Sequence, residues 1–125
     1  MTKADMKILI CDDSVLARKN LKNNLADLGC TNVLEVSDGQ AAIDTYKAEQ
    51  PDLIFLDIVM PVKDGITAVK EIREFDGTAH IVMLSSVGTQ EHLREAIKLG
   101  AQDFMQKPAN IDHIRHVIDR ILGGK

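Results

Sequence analysis

Five polar residues have the types and spacing to do chemistry together: Asp12 and Asp13, Asp57, Ser85 and Lys107. Asp12-Asp13 closes a short apolar run over residues 6–10, and Asp57 closes the run Leu53-Ile54-Phe55-Leu56. Ser85, with Ser86 beside it, follows residues 81–84, and Lys107 follows residues 103–106. Three carboxylates gathered in one partly buried crevice repel each other, and Lys107 offers a single compensating charge. A hard divalent ion with oxygen ligands resolves the excess, and Mg2+ binds one or two carboxylates together with a phosphate. Aspartate is also a nucleophile toward phosphorus. The set therefore expects both a metal and a phosphoryl group. Asp57 would attack in line while Mg2+ and Lys107 hold the equatorial oxygens.

The elements that must position these residues alternate along the whole chain. Short strands are expected at residues 6–10, 33–36, 53–56, 81–84 and 103–106. The run before Asp57 is continuously apolar, the habit of a strand covered on both faces of a parallel sheet. Between the strands, Ser14 reads as an N-cap for a helix carrying Val15, Leu21, Leu25 and Leu28, stopped by Gly29. Asp38-Gly39 opens a second helix with Ala42, Ile43 and Tyr46, ending before Pro51. The third runs over residues 65–75 with Ile66, Val69 and Ile72 on one face. Thr89 caps a fourth that ends at Gly100, and a fifth sets Ile111, Ile114, Val117, Ile118 and Ile121 at helical spacing.

Parallel strands need crossover helices, and right-handed crossovers cover both faces of the sheet. The expected fold class is α/β, a (βα)5 doubly wound parallel five-stranded sheet of flavodoxin-like order 2-1-3-4-5. In that order the first and third strands flank the switch point, so four separated segments deliver their polar ends to one crevice. One domain spans residues 1–125 with its core at about 6–122, and Gly123-Gly124-Lys125 reads as its end.

On these motifs, the chain from Lys7 to about Leu122 resembles the receiver domain of two-component response regulators, in size the stand-alone CheY-like type. The matching motifs are Asp12-Asp13, the stretch Asp57-Ile58-Val59-Met60-Pro61-Val62-Lys63-Asp64-Gly65, Ser85 and Lys107-Pro108. Each is weak singly; together, in order and at strand ends, they are specific. The resemblance implies that Asp57 is the phosphoacceptor. It implies that Asp13, Asp57 and the Val59 backbone carbonyl bind Mg2+ directly, with Asp12 acting through water. Lys107 would pair with phosphoryl oxygens, Ser85 would be the switch hydroxyl, and Phe104 the aromatic that changes rotamer with it. The bond before Pro108 would be cis. The fourth helix, fifth strand and fifth helix would present the signal.

The implied partners are a histidine kinase as phosphodonor and a downstream target protein, in chemotaxis or a phosphorelay. The chain would promote its own phosphorylation and dephosphorylation without being an enzyme on other substrates. The alternatives are a phosphorelay intermediate and a Mg2+-dependent aspartyl-phosphate phosphohydrolase. The latter usually needs a second Asp where this chain has Val59, and no cap insertion is present. Phe104 stands where many relatives have tyrosine, and Ser86 where a small apolar residue is usual. Val59 and Val87, both apolar, cannot orient an attacking water, which predicts slow loss of the phosphoryl group.

The simpler readings bound the rest. Any one Asp could be a turn or cap residue. The 125 residues carry a net charge of -4, with 45% hydrophobic and 27% charged residues, so no broad basic surface for nucleic acid is expected. No apolar run approaches membrane-spanning length and no leader pattern is evident, which predicts a cytoplasmic monomer. Cys11 and Cys30 read as reduced, buried apolar groups. His113 and His116 read as a solvated helix face, His80 and His92 show no pattern, and Tyr46 reads as an amphipathic helix residue.

Overall fold

Apolar runs of four or five residues become strands, and the amphipathic stretches between them become helices. A computed structural model describes residues 2–58, 60, 62–85, 90–107 and 109–123, with only the backbone at Gln90, His92, Leu93 and Ala96. The order is β1 (Ile8–Cys11), α1 (Val15–Asp27), β2 (Val33–Val36), α2 (Gly39–Glu49), β3 (Leu53–Asp57), α3 (Gly65–Phe75), β4 (Ile81–Ser85), α4 (Gln90–Lys98), β5 (Asp103–Gln106) and α5 (Ile111–Leu122). The strands form one parallel sheet in the order β2-β1-β3-β4-β5, as the alternation predicted.

Period-two alternation sends neighbouring residues of each strand to opposite faces, so the sheet has two cores. On one face Leu9, Cys11, Ile54, Leu56, Ile81 and Met83 pack with the buried residues of α2 and α3. On the other, Ile8, Ile10, Phe55, Val82, Leu84 and Met105 meet those of α1 and α5. Cys11 and Cys30 lie buried in these cores as free thiols. Helix starts are fixed by side-chain caps. Ser14 accepts from the Ala17 N–H, Asp38 from Ala41, Asp64 from Thr67, and Asn110 from Asp112 and His113. Gly29 and Gly100, at φ +92 and +90, turn the chain after α1 and α4.

Several local expectations are corrected. β1 spans Ile8–Cys11 rather than residues 6–10, because the Lys7 N–H donates to the Asp52 carboxylate while Cys11 pairs with Val36 and Leu56. β3 and β4 each reach one residue further than expected, to Asp57 and Ser85, which pair with Leu84 and Gln106. Val15 is 71% exposed rather than on the core stripe with Leu21 and Leu25. It stands about 120° around the helix from Leu21, at 100° per residue. Thr89, expected to cap α4, lies outside the described residues, as do Ser86, Val87, Pro108 and Gly124. Among the described residues no helix is long and apolar enough to cross a membrane.

Candidate functional site

The strand register brings the polar residues together. Cys11 pairs with Leu56, so one step further Asp12 comes level with Asp57. Asp57 in turn pairs with Leu84, and Ser85 with Gln106, which places Lys107 just past the tip of β5. The Lys107 N–H donates to the Ser85 carbonyl at 2.8 Å, fixing the outgoing chain at this edge. One oxygen each from Asp12, Asp13 and Asp57 lies within 4.8 Å of the others. Asp12 is 1% exposed, Asp57 5% and Ser85 1%, whereas Asp13 faces solvent. Buried polar side chains at a sheet edge require partners, and here the principal one is an ammonium. Lys107 Nζ lies 2.5 Å from Asp12 Oδ2 and 2.9 Å from Asp57 Oδ2.

Burial alone would lower the Lys107 ammonium, but its hydrogen bonds to Asp12 and then Asp57 outweigh that and hold it above the ordinary lysine value. It therefore stays charged at neutral pH. Three carboxylates against one ammonium leave two negative charges in excess, at a point open to solvent through Asp13. Oxygen donors in that number, spacing and charge fit a hard divalent cation such as Mg2+.

Several neighbours hold the acids in place, and sequence reading had missed them. Arg18 Nη1 donates to the Asp12 carbonyl at 2.6 Å while its Nε pairs with Glu35 Oε1 at 3.3 Å. The Ser14 N–H donates to Asp12 Oδ1 at 2.9 Å. A cavity of about 190 Å³ opens beside Asp12 and Lys107, walled by Leu16, Ala17, Leu21 and Leu84. Arg18 carries no sequence signal beyond its place one helical turn past the acidic pair. The Cys11 thiol, just before the pair, is pushed up to about 12 by burial and by the charges of Asp38, Asp12 and Asp57, so it is no nucleophile.

Five of the expected residues thus meet at one edge: Asp12, Asp13, Asp57, Ser85 and Lys107. Phe104 lies half-buried on β5, packed against the core shared by α2 and α3. The Val59 carbonyl, expected as a metal ligand, lies outside the described residues, as does the Pro108 peptide. His113 is not merely solvated: its Nε2 lies 2.8 Å from Asp103 Oδ2, which Arg120 also approaches at 3.6 Å.

Residues 8–119 match the model of the response regulator receiver domain. The chain belongs to the response regulator receiver family. It is 41% identical over 116 residues to the chemotaxis protein CheY of Bacillus subtilis, covering 93% of this chain and 97% of that protein. CheY of Halobacterium salinarum is 38% identical over 116 residues, covering 93% and 96%. Among solved structures, the CheX–CheY–BeF3–Mg2+ complex from Borrelia burgdorferi contains a chain that superposes with a TM-score of 0.85 at 31% identity. That match covers 94% of this chain and 89% of the other. The receiver fold is the five-stranded sheet described above, and its acidic pocket of Asp12, Asp13 and Asp57 fits a phosphoacceptor site.

Proposed function

We propose that this receiver accepts a phosphoryl group on Asp57 from the phosphohistidine of a histidine kinase, and that the modification changes which protein its α4-β5-α5 face binds. One observation carries the reading: a single ammonium bridges two buried carboxylates, with a third close by, leaving a charge deficit that a divalent ion would fill.

An Asp57 oxygen forms a bond to phosphorus as the phosphorus–nitrogen bond of the donor breaks, and the imidazole leaves with that electron pair. Asp57 is placed for this by β3, whose last residue it is. Lys107, already within hydrogen-bond distance, follows the charge from carboxylate to phosphoryl oxygen without leaving the crevice. Bound Mg2+ would supply Lewis-acid neutralisation of the phosphoryl oxygens. Asp13 and Asp57 would hold it, Asp12 would act through water, and the Val59 carbonyl would complete the protein ligands. Mg2+ is present with the Borrelia relative.

Ser85 is the switch hydroxyl in this reading. It would donate to a phosphoryl oxygen that exists in one state only, and such a difference in affinity is what shifts a two-state equilibrium. Phe104, on β5 and paired with Met83 of β4, would repack with it. The downstream partner is a protein; CheX accompanies the Borrelia relative, and the B. subtilis relative is a chemotaxis protein. The setting is the cytoplasm, and the chain promotes its own phosphorylation and dephosphorylation without acting on other substrates.

The test is incubation with acetyl phosphate and Mg2+, followed by intact mass of wild type and Asp57→Asn. One phosphoryl adduct in wild type alone is expected. Continuous turnover of simple phosphate esters would make the chain a phosphohydrolase, and absence of any adduct would make it an inert binding module.

A further inference from the structure

The first turn of α2 abuts the connection that leads away from Asp57. A Cβ built on Gly39 would lie 2.1 Å from the Lys63 carbonyl oxygen, 2.7 Å from its carbon and 2.8 Å from the Lys63 Cβ. Two of those three atoms are backbone, so neither side could yield by rotating a side chain. Lys63 belongs to the segment between Asp57 and α3, which is gripped elsewhere as well. The Gly65 N–H donates to the Ile58 carbonyl at 2.7 Å, and a Cβ on Gly65 would lie 2.1 Å from the Asp57 carbonyl oxygen. Lys63 Nζ reaches Glu71 Oε2 at 2.7 Å. Met60 Sδ lies 3.0 Å from Cys11 Sγ, which in turn lies 3.3 Å from the Asp38 carbonyl at the cap of α2.

Within this segment Val62 sits at φ 68 and is 78% exposed. A β-branched residue in the left-handed region is strained, and its own side chain has little packing to hold it there. Such a conformation persists only where the surroundings over-determine it. Lys63, the next residue, is where α2 supplies that constraint.

We propose that Gly39 is a positioning residue for the acidic crevice. Its bare Cα lets the first turn of α2 seat against the Lys63 backbone and fix the segment that leaves Asp57. The inference rests on the reading of that crevice as a Mg2+-binding phosphoacceptor site. α2 contributes no side chain to the crevice; it acts through the segment it braces. A bulkier residue at 39 displaces the segment, and the Asp57 carboxylate at its start shifts from its place beside Asp12 and Asp13. Ligand-supporting groups of this kind typically change metal affinity by about 10- to 100-fold when altered.

Gly77 provides a matched control, since a Cβ there meets nothing within 4 Å. Mg2+ binding is measured by isothermal titration calorimetry on wild type, Gly39→Ala and Gly77→Ala, with urea unfolding to show that each is folded. Gly39→Ala is expected to bind Mg2+ about 10-fold more weakly, with Gly77→Ala unchanged. The amide resonances of Ile58, Met60 and Gly65 are expected to shift in Gly39→Ala alone, a readout that general loss of stability does not move. If Gly39→Ala does not fold, Cys11→Ala removes a second tie between α2 and the same segment, from the Asp38 carbonyl to Met60, without adding atoms, and a smaller loss of Mg2+ affinity is expected. Unchanged Mg2+ affinity in the folded variant overturns the proposal. Wild type that binds Mg2+ and forms the Asp57 adduct beside an unchanged Gly39→Ala refutes the inference alone; wild type that does neither refutes the reading beneath it as well.

Discussion

At the N-terminal end of the sheet, carboxylates are matched to donors. Asp76 Oδ1 accepts from the Thr78 N–H at 3.0 Å and the Thr78 hydroxyl at 2.8 Å, while Oδ2 accepts from the Tyr46 hydroxyl at 3.0 Å. Asp52 accepts from the Lys7 N–H at 2.8 Å, and His80 meets Gln102 at 2.7 Å. At the C-terminal end, Asp12 and Asp57 share one ammonium, with Asp13 close by. Both ends hold partly buried acids, but at the first they lie apart, each with its own neutral N–H or O–H donors, whereas at the second two buried carboxylates converge on one ammonium with a third acid close by. That crowding, rather than the presence of acids, distinguishes a site awaiting a cation from a structural network.

The strongest way to break the contrast is to remove the one cation. Lys107→Met leaves Asp12 and Asp57 buried without their shared partner, and loss of one member of such a group costs about 3 kcal/mol. Urea unfolding in Mg2+-free buffer should show that fall. Adduct formation from acetyl phosphate should slow by about 100-fold or more, the usual effect of losing a charge-stabilising group. A variant that kept wild-type rates would show that Lys107 only neutralises the resting site.

Mg2+ should affect the two ends unequally. At about 100 times its Kd, the ion should stabilise wild type by about 2.7 kcal/mol, because it binds the folded chain alone. Asp57→Asn should lose most of that gain, whereas Asp76→Asn should keep it while being less stable throughout. Equal responses in both variants would place the ion elsewhere.

Removing an acid should carry opposite signs at the two ends when no metal is present. Asp57→Asn relieves repulsion from Asp12 and Asp13 and should raise stability by about 1 kcal/mol, the lost contact to Lys107 offsetting part of the gain. Asp76→Asn replaces one of the two acceptor oxygens by an NH2 group, which cannot accept from Thr78 or Tyr46, and should lower stability by a similar ~1 kcal/mol. Two losses would mean that Lys107 already balances the crevice.

The crevice was legible in the sequence because its residues fall at the ends of short strand-like runs, so strand order alone converts chain position into proximity. The sheet order and element sequence were legible for the same reason. What escaped was contact between elements that share no periodicity. Gly39 reads only as a helix opener, since nothing local shows that the Lys63 carbonyl occupies the place of its Cβ. Arg18 reads as a surface residue of α1, although it ties the Asp12 carbonyl to Glu35 on β2. His113 passes for solvated because its partner, Asp103, stands on the adjoining strand. Tyr46 shows its apolar ring to a periodicity count, but its hydroxyl finds Asp76 beyond the end of α3.

That last pair gives the smallest and most local test of the matched end. The Asp76 carboxyl is held below the usual carboxylate value, first by the Thr78 hydroxyl, then by the Thr78 N–H, and less by Tyr46. A depressed folded value means that the carboxylate contributes stability above the ordinary aspartate range, and that this contribution is lost as pH falls through the folded value. Tyr46→Phe removes the weaker hydroxyl and should cost about 1 kcal/mol at neutral pH. Because Thr78 still holds the carboxylate, the variant should retain most of the wild-type acid dependence between neutral pH and pH 3. Thr78→Val removes the leading cause and should flatten that dependence more. Urea unfolding across the range decides the order; if Tyr46→Phe flattened the acid limb more than Thr78→Val, the hydroxyl of α2 and not the turn after α3 would be what holds this end of the sheet in balance.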